Sequence, residues 1–577
     1  MNYCWVKGAY PAPKPFFIII YLLIQGTAHS ANVSVCDQGC DFGRITESID
    51  SAAPGDVIEV HSGTYVENIH LGKALILRGK QTGSGKPVID AGGIGSAITI
   101  SGDGAIVDGF NLTNSLGSDA WAGIDVISDN CTITNNELSN NDNGISITGF
   151  GNIIQGNDAF NNIYGMKLEE STNGTIEANI LRDNNYGLLI LSSQGNSVKR
   201  NKATNNDFGI QLNQSTGNVL QQNEMARNTY NFGGGGNNSV DTTNMADGKP
   251  IYYLVKAANV TLDSSSNAGA VYCIDCHSLI IEGLDLANNL YGIYLCNTSH
   301  STLKGNRIRD NSFGILLINS SGNFIIDNQV SKNSYGIVLD LSRYNTLEGN
   351  KAFQSQAALK MTGSDYNRII GNELSQSDTG AWVILSGLNL ISGNIMTYNT
   401  IGAILDLSWL NRIFDNYVAD NDQGILLESS TKNNLSANRI QNNTIGVLYD
   451  PLDNNTLDVY NQYLDNDNDL MPIQSKSTPP KNASAIKPSV SVDIDSKPRG
   501  AAILKGGKLE GETPDTVYFT DPGDYVIVLK KEGYKDNKLI IKIPDKITIE
   551  TFTEEMREYV VKLVPEDNST GGTADEE

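Results

Sequence analysis

At 577 residues the chain is too long for one ordinary compact core, unless that core is extended by repetition. A net charge of −24 excludes a nucleic-acid binder, because no stripe of cations is available to neutralise phosphates. So polar a chain would suit disorder, but aliphatic residues recur at fixed spacing, and that pattern demands a folded core.

The first 30 residues read as a secretory signal. Lys7 and Lys14 precede nine apolar residues, 16–24, and the small residues Ala28 and Ser30 follow. The apolar run is short for a bilayer span and no second one follows, so the mature chain is expected outside the membrane with no span of its own. Cys36 and Cys40 flank Asp-Gln-Gly near the mature N-terminus, either as a small disulfide loop or as two free thiols. Ile45, Ile49 and Ala52 are spaced for a short helix ended by Pro54-Gly55. Strand-like segments follow at 56–60 and 74–77, separated by Gly63-Thr-Tyr-Val-Glu67. This order of helix, "PGD" turn and "GTYxE" turn resembles the opening of pectin-lyase-like right-handed β-helices, where the first segment plugs the end of the core. Residues 31–110 are therefore read as cap and first coils.

From 111 to 465 the chain repeats itself every 21 or 22 residues as NxφxxNxφxxNxxGφxφ, with φ apolar. Gly314, Gly336, Gly380, Gly402, Gly424 and Gly446 mark the register, with Ala358 in the remaining slot. A period near 22 with three short apolar segments per line predicts a solenoid of three-stranded rungs. An Asn stands eight residues before each slot (Asn306, Asn328, Asn350 and onward), and another column lies three before it. Stacked about 4.8 Å apart, these amides can bond one rung to the next, and Asn also suits left-handed turns. The ladder breaks between Asn231 and Gly269, a gap of 38 residues that reads as one rung plus a loop extruded near 232–255. Counted this way, 15 slots from Gly123 to Gly446 make a rod of roughly 70 Å.

Residues 466–489 turn to Pro, Lys, Ser and Ala and read as a linker. Strand-like runs between Gly and Pro turns fill 490–564. Lys497-Pro-Arg-Gly-Ala501, Gly511-Glu-Thr-Pro514 and Pro522-Gly-Asp-Tyr525 resemble a PEGA domain, a short β-sandwich of envelope proteins. Residues 565–577 form an acidic tail, expected to be disordered.

The repeats, with Asp247-Gly-Lys-Pro-Ile-Tyr-Tyr253 and Tyr291-Gly-Ile-Tyr294, resemble the NosD-like β-helix family. The resemblance implies an all-β, right-handed parallel β-helix. It also implies either a copper accessory protein or a surface protein. Copper needs His, Met or Cys clusters, and the sequence offers few: beyond His29 only His61, His70, His277 and His300. Cys273-Ile-Asp-Cys276-His277 matches a haem-attachment pattern but falls inside a rung. Cys273 and Cys296, each four after a counted slot, form a candidate cross-rung disulfide, with unpaired packing as the alternative.

Two columns point outward. Tyr294, Leu316, Val338, Trp382, Ile404, Leu426 and Leu448 sit two after the slot, an apolar stripe for sugar rings, another protein or the C-terminal domain. Asp406, Glu428 and Asp450, four after the slot, repel one another unless they share a cation such as Ca²⁺. The reading is a secreted or cell-surface protein that binds envelope or extracellular polysaccharide, or other surface proteins. The alternatives are a polysaccharide lyase or epimerase, which needs a base and acids converging on one face, and a copper accessory protein. Frequent Asn-X-Ser/Thr sequons permit glycosylation.

Overall fold

The computed structural model describes residues 30–118 and 120–473, and most of the strands between 490 and 562. The segment read as a signal, most of the segment read as a linker and the acidic tail lie outside the described residues. Two compact units divide at Gln474 and Ser475, and each is taken by itself.

The first unit is a parallel β-helix. Its opening helix, Ile45–Ser51, buries Ile45, Ser48 and Ile49 over the end of the core. The N-terminal end is satisfied from the "GTYxE" turn read in the sequence, and the C-terminal end by a lysine beyond it. The Glu67 carboxylate, from the "GTYxE" turn, accepts from the Ile45 and Thr46 amides at 3.0 Å each. Lys73 Nζ donates to the Ile49 and Ala52 carbonyls at 3.0 and 2.9 Å. An anion at the N-terminus and a cation at the C-terminus both suit the helix dipole.

Each rung then lays down three short strands whose alternate residues point inward. The inward columns are as the period demands: Ile325, Leu347, Ile369, Ile391, Ile413 and Leu435 are all buried, as are Val330, Leu374, Met396, Val418 and Ile440. Burial of each such side chain stabilises by roughly 1.5–3 kcal/mol. The slot glycines are required by the rung above: a Cβ at Gly402 would stand 2.5 Å from the Gly424 carbonyl oxygen.

The asparagines form buried, hydrogen-bonded ladders. Asn394 Oδ1 accepts from the Asn372 amide at 2.9 Å and from Asn372 Nδ2 at 3.0 Å. Its own Nδ2 donates to the Ile369 carbonyl at 2.8 Å and to Asn416 Oδ1 at 3.0 Å. Left-handed conformation, however, falls on the residue before the ladder Asn: Asp327, Gly349, Gly371, Gly393, Asp415 and Ala437. A serine ladder, Ser320 through Ser342, Ser364, Ser386, Ser408 and Ser430, links a further turn in the same way, each hydroxyl oxygen accepting the amide of the previous rung at 2.9–3.2 Å.

The break in the ladder is not an extruded loop. Asp247 and Gly248, both at positive φ, form a two-residue turn that folds strand Lys249–Val255 back antiparallel on Met245–Ala246. From Lys249–Val255 a new parallel stack begins and runs to Asn468–Pro472. The rod is thus two coil blocks. The sheet of second strands in the first block passes through the hairpin into the sheet of third strands in the second. The inner face of that sheet in the first block becomes the outer face in the second, and two cores lie on opposite sides of it.

The hairpin also shifts the register. Ile251 pairs with Ala270, and Val271 pairs with Ile293, so Ala270 and not Gly269 is the equivalent of Gly292. The 38 residues hold a further rung, and a one-residue slip exchanges the two faces of the strand. Cys273 consequently belongs to the inward column of Leu295, while Ile274 pairs with Cys296. Cys273 is a free, buried thiol, and the Cys273–Cys296 disulfide does not form. The helix also outruns the boundary read at 465, since Asn468–Pro472 still pairs with Ile445–Tyr449.

In the second unit Val490–Lys497 pairs with Asp515–Phe519 and with Glu558–Lys562, and Ala502–Lys505 with Lys508–Glu512 and Gly523–Lys530. Asn537–Ile543 completes the second of these sheets. Ile494 from the first sheet joins Ile503, Ile527, Leu529 and Ile541 from the second in one small core, the arrangement of a sandwich.

Candidate functional site

The outward stripe divides in two. Tyr294, Leu316 and Val338 are buried, in the same core as Phe232 and Leu212 of the first block. Phe232 stands edge-on to the Tyr272 ring at 5.2 Å, and Tyr272 Oη donates to the Phe232 carbonyl at 3.1 Å. These members of the stripe are the seam between the blocks and offer no surface. Trp382, Ile404, Leu426 and Leu448 are half-buried on the same face. Lys360 pairs with both Val338 and Trp382, which it separates, and its ammonium lies 4.7 Å from the Trp382 ring centroid. That cation occupies part of the one aromatic platform the stripe retains.

The acidic column does not bring its three carboxylates together among the described residues. Asp406 and Glu428 are direct cross-strand partners. Asp450 leaves the column: it caps the 3-10 turn Pro451–Asp453, accepting from the Leu452 amide at 2.9 Å. Among the described residues, the group of His, Cys and carboxylate ligand atoms close enough to share an ion is Cys36, Cys40 and His61, at the opposite end of the chain. Cys36 and Cys40 are joined as a disulfide. The haem-like motif is ruled out by burial, since Cys273 and Cys276 are both inside the core and His277 is exposed.

The surface feature that gathers most chemistry was not visible as a repeat. Along the turn between the second and third strands runs an open groove of about 1000 Å³. The left-handed residues Lys332, Gln354, Gln376, Tyr398 and Asp420 form one wall, and Ser334, Gln356, Asp378, Thr400 and Asp422 the other. Buried Asn333, Ser355, Ser377 and Asn399 form its floor. A second hollow of about 480 Å³ shares Lys332 and Ser334 with it and continues past Asp310 and Asn288 to Arg227 and Thr229. The groove therefore crosses the seam between the blocks. Asp247 fixes it there: its carboxylate accepts from the Arg227 amide at 2.9 Å, from Asn231 Nδ2 at 2.8 Å and from Asn288 Nδ2 at 3.1 Å. Tyr398 is 65% exposed and presents a ring to the groove amid amides and hydroxyls.

A curated relative, a cell surface glycoprotein of Methanothermus fervidus, is 30% identical over 126 residues, which is 21% of this chain. The chain spans about a fifth of that relative's length, at 20%. Among solved structures, a periplasmic alginate epimerase is 13% identical, over 64% of this chain and 85% of that one, with a TM-score of 0.29. The A-module of an Azotobacter vinelandii mannuronan C-5 epimerase is 13% identical over 76% and 95%, with a TM-score of 0.21. A pectin methylesterase from Aspergillus niger is 14% identical over 38% and 89%, with a TM-score of 0.24. The PEGA domain pattern matches residues 489–556. The pattern described as periplasmic copper-binding protein (NosD) matches residues 79–244, 236–387 and 380–481, most of the chain and nearly all of its coils. The chain belongs to the NosD family, as a two-block parallel β-helix followed by a PEGA domain.

Proposed function

We propose that this is a secreted or cell-surface protein that binds envelope or extracellular carbohydrate in the corner groove, without turning it over. The observation that carries the reading is the groove's make-up. Five rungs contribute amide, hydroxyl and carboxylate groups in register, with an exposed tyrosine ring among them. Such a surface pairs with a chain of hydroxyls on one side and an apolar ring face on the other. Hydroxyl-rich polymers with regular spacing meet regular spacing here, since rungs repeat at about 4.8 Å.

Binding is favoured over lyase or epimerase chemistry by the placing of charge. Asp420 and Asp422 lie at one end of the larger hollow, Asp378 in its middle rung, and its lysine, Lys332, at the other end. A base and an acid acting on one sugar ring must both reach it. The family and its extracytoplasmic relatives agree with a location outside the cytoplasm. No helix among the described residues is long and apolar enough to cross a membrane.

A polysaccharide screen that reads both retention and the ultraviolet absorbance of unsaturated products tests this directly. The expected result is retention of one polymer class without new absorbance, and loss of that retention in Tyr398→Ala. Unsaturated products would establish the lyase reading instead. Retention that survives Tyr398→Ala and Gln376→Ala together would remove the groove as the site.

A further inference from the structure

The cluster of Cys36, Cys40 and His61 serves no purpose in the groove or in the seam. Its three ligand atoms lie within 4.8 Å of one another, and all three residues are half-buried. His61 Nδ1 stands 3.6 Å from Cys40 Sγ. The stretch that holds it, residues 36–61, precedes the part matched by the NosD pattern, which begins at residue 79.

As a disulfide the pair offers no thiolate, and the group amounts to one imidazole. Reduced, it offers two thiolates and an imidazole, a donor set that suits soft or borderline cations over Ca²⁺ or Mg²⁺. What makes this more than a coincidence of spacing is that the loop does not depend on the disulfide for its shape. Ser34 and Asp41 clasp its base: the Asp41 carboxylate accepts from the Ser34 amide at 2.8 Å and from its hydroxyl at 2.7 Å, and the Asp41 amide donates back to Ser34 Oγ at 3.1 Å. The Cys36 amide donates to the Phe42 carbonyl and the Phe42 amide to the Ser34 carbonyl, both at 3.1 Å. His61 ends a strand paired on both sides, with Asn32–Val35 and with Ile76–Lys80, and its carbonyl accepts from Tyr65 Oη at 2.9 Å. The backbone that carries both sulfurs and the imidazole is thus held in place by bonds that survive reduction.

We propose that Cys36, Cys40 and His61 form a redox-gated site for one thiophilic d10 cation, Cu(I) or Zn(II), open when the pair is reduced and closed when it is oxidised. Opening breaks the S–S bond. A dithiol reductant supplies two electrons and two protons and leaves as its own disulfide. The cation then displaces both thiol protons to solvent and takes His61 through Nδ1, leaving a position for water or an incoming donor. The copper named in the family's description finds a fitting donor set here, in the reduced state alone.

The test uses the full chain, reduced with dithiothreitol and desalted without oxygen. It is titrated with Cu(I) against a chromogenic chelator and, separately, with Zn(II) against a metallochromic dye. The buried thiols Cys131, Cys273 and Cys276 are common to every sample, and Cys296, disulfide-bonded before reduction, is a thiol in every reduced one, so the reduced Cys36→Ser/Cys40→Ser chain sets the background. The expected result is one equivalent above that background in the reduced chain and none in the oxidised chain. Thiolate-to-copper absorption should accompany the Cu(I) arm, and the arm that saturates at one equivalent identifies the cation, because raw affinity favours Cu(I) at any thiolate pair. His61→Ala, which leaves the disulfide intact, should weaken binding by at least the ~10–100-fold that loss of a supporting group costs at metal sites. Equal binding by the reduced wild type and a Cys36→Ser/Cys40→Ser chain would overturn the proposal and leave a structural disulfide only. Equal binding by His61→Ala would overturn the three-donor site.

Discussion

A ladder asparagine makes four bonds to three neighbours, and the two Asn columns differ in how many of those are indispensable. In the column eight before the slot every rung from Asn306 to Asn438 is Asn. In the column three before it, Ser355 and Ser377 already stand in for Asn, with the Ser355 amide donating to Ser377 Oγ at 3.2 Å. A hydroxyl can accept the amide of the previous rung but cannot bridge to the next carboxamide. Asn394→Ser should therefore strand buried polar groups in both adjacent rungs, at about 1–3 kcal/mol each, whereas Asn399→Ser should cost less than half as much. Denaturant midpoints of the two variants decide this; equal losses would mean that the ladders are interchangeable. Charge supplies a second residue-scale expectation. Burial raises the carboxyl of Asp340 above its ordinary 3.8, Lys360 opposing, and burial raises Asp125 likewise, with the Ser146 hydrogen bond opposing. A raised folded-state pKa means that the folded chain holds the proton more tightly than the unfolded one. Each contribution to stability is then full below the ordinary carboxyl value and is lost as pH rises through the raised one. Asp340→Asn and Asp125→Asn should be more stable than the wild type near pH 7 and equal to it near pH 3. The same offset at both pH values would show that the carboxyls are not penalised by burial.

At the scale of elements, the seam is where reading the sequence went astray, and the reason is physical. The 22-residue period is legible because stacking forces like residues to recur, and it located the strands, inward columns and glycine slots of both blocks. It carries no information where the stacking itself changes. The Asp247-Gly248 hairpin replaces a corner by a reversal, the rungs beside it shorten, and Gly269 lies one position away from the slot that it seems to occupy. Tyr294, Leu316 and Val338 do face away from their own core, as alternation requires; they are buried because another core lies there. The left-handed positions were misplaced for a related reason. Asn tolerates such turns, but here its side chain is committed to the ladder, and the residue before it bends instead. Phe232 of the first block packs against the Tyr253 and Tyr272 rings of the second, within one core that the two blocks share. Phe232→Ala should cost about 3–5 kcal/mol and uncouple the blocks. One cooperative unfolding transition should become two, with dye binding to the uncovered Tyr294 face between them. A single transition at lowered midpoint would show that the continuous sheet alone couples the blocks.

For the whole molecule, the groove escapes the repeat because its walls are the variable positions of the motif. Stacking constrains the floor to Asn or Ser but leaves the residues on either side free. A column reading Lys332, Gln354, Gln376, Tyr398, Asp420 thus has no signature beyond its place in the turn. That freedom is what allows a ligand to shape it. Binding along it should grow with ligand length, because each rung engaged adds hydrogen bonds worth about 0.5–1.5 kcal/mol net, while the cost of losing free rotation and translation is met once. Affinity should rise until an oligosaccharide spans the four rung steps from Lys332 to Asp420, roughly 19 Å at the strand spacing, and then level off unless the chain reaches across the seam to Arg227. The charge of the protein sets which polymers can do this. With a net charge of −24 and three aspartates between the middle of the groove and its far end, a polyuronate meets repulsion over most of its path. A neutral or amine-bearing glycan does not. Calorimetry with a length series of neutral, amino and uronic oligosaccharides should rank amine-bearing or neutral above uronic at every length, with salt weakening the amino series. Uronic oligosaccharides binding most tightly would place the ligand against Arg227 and Lys332 in the smaller hollow, and the five-rung groove would lose its assignment.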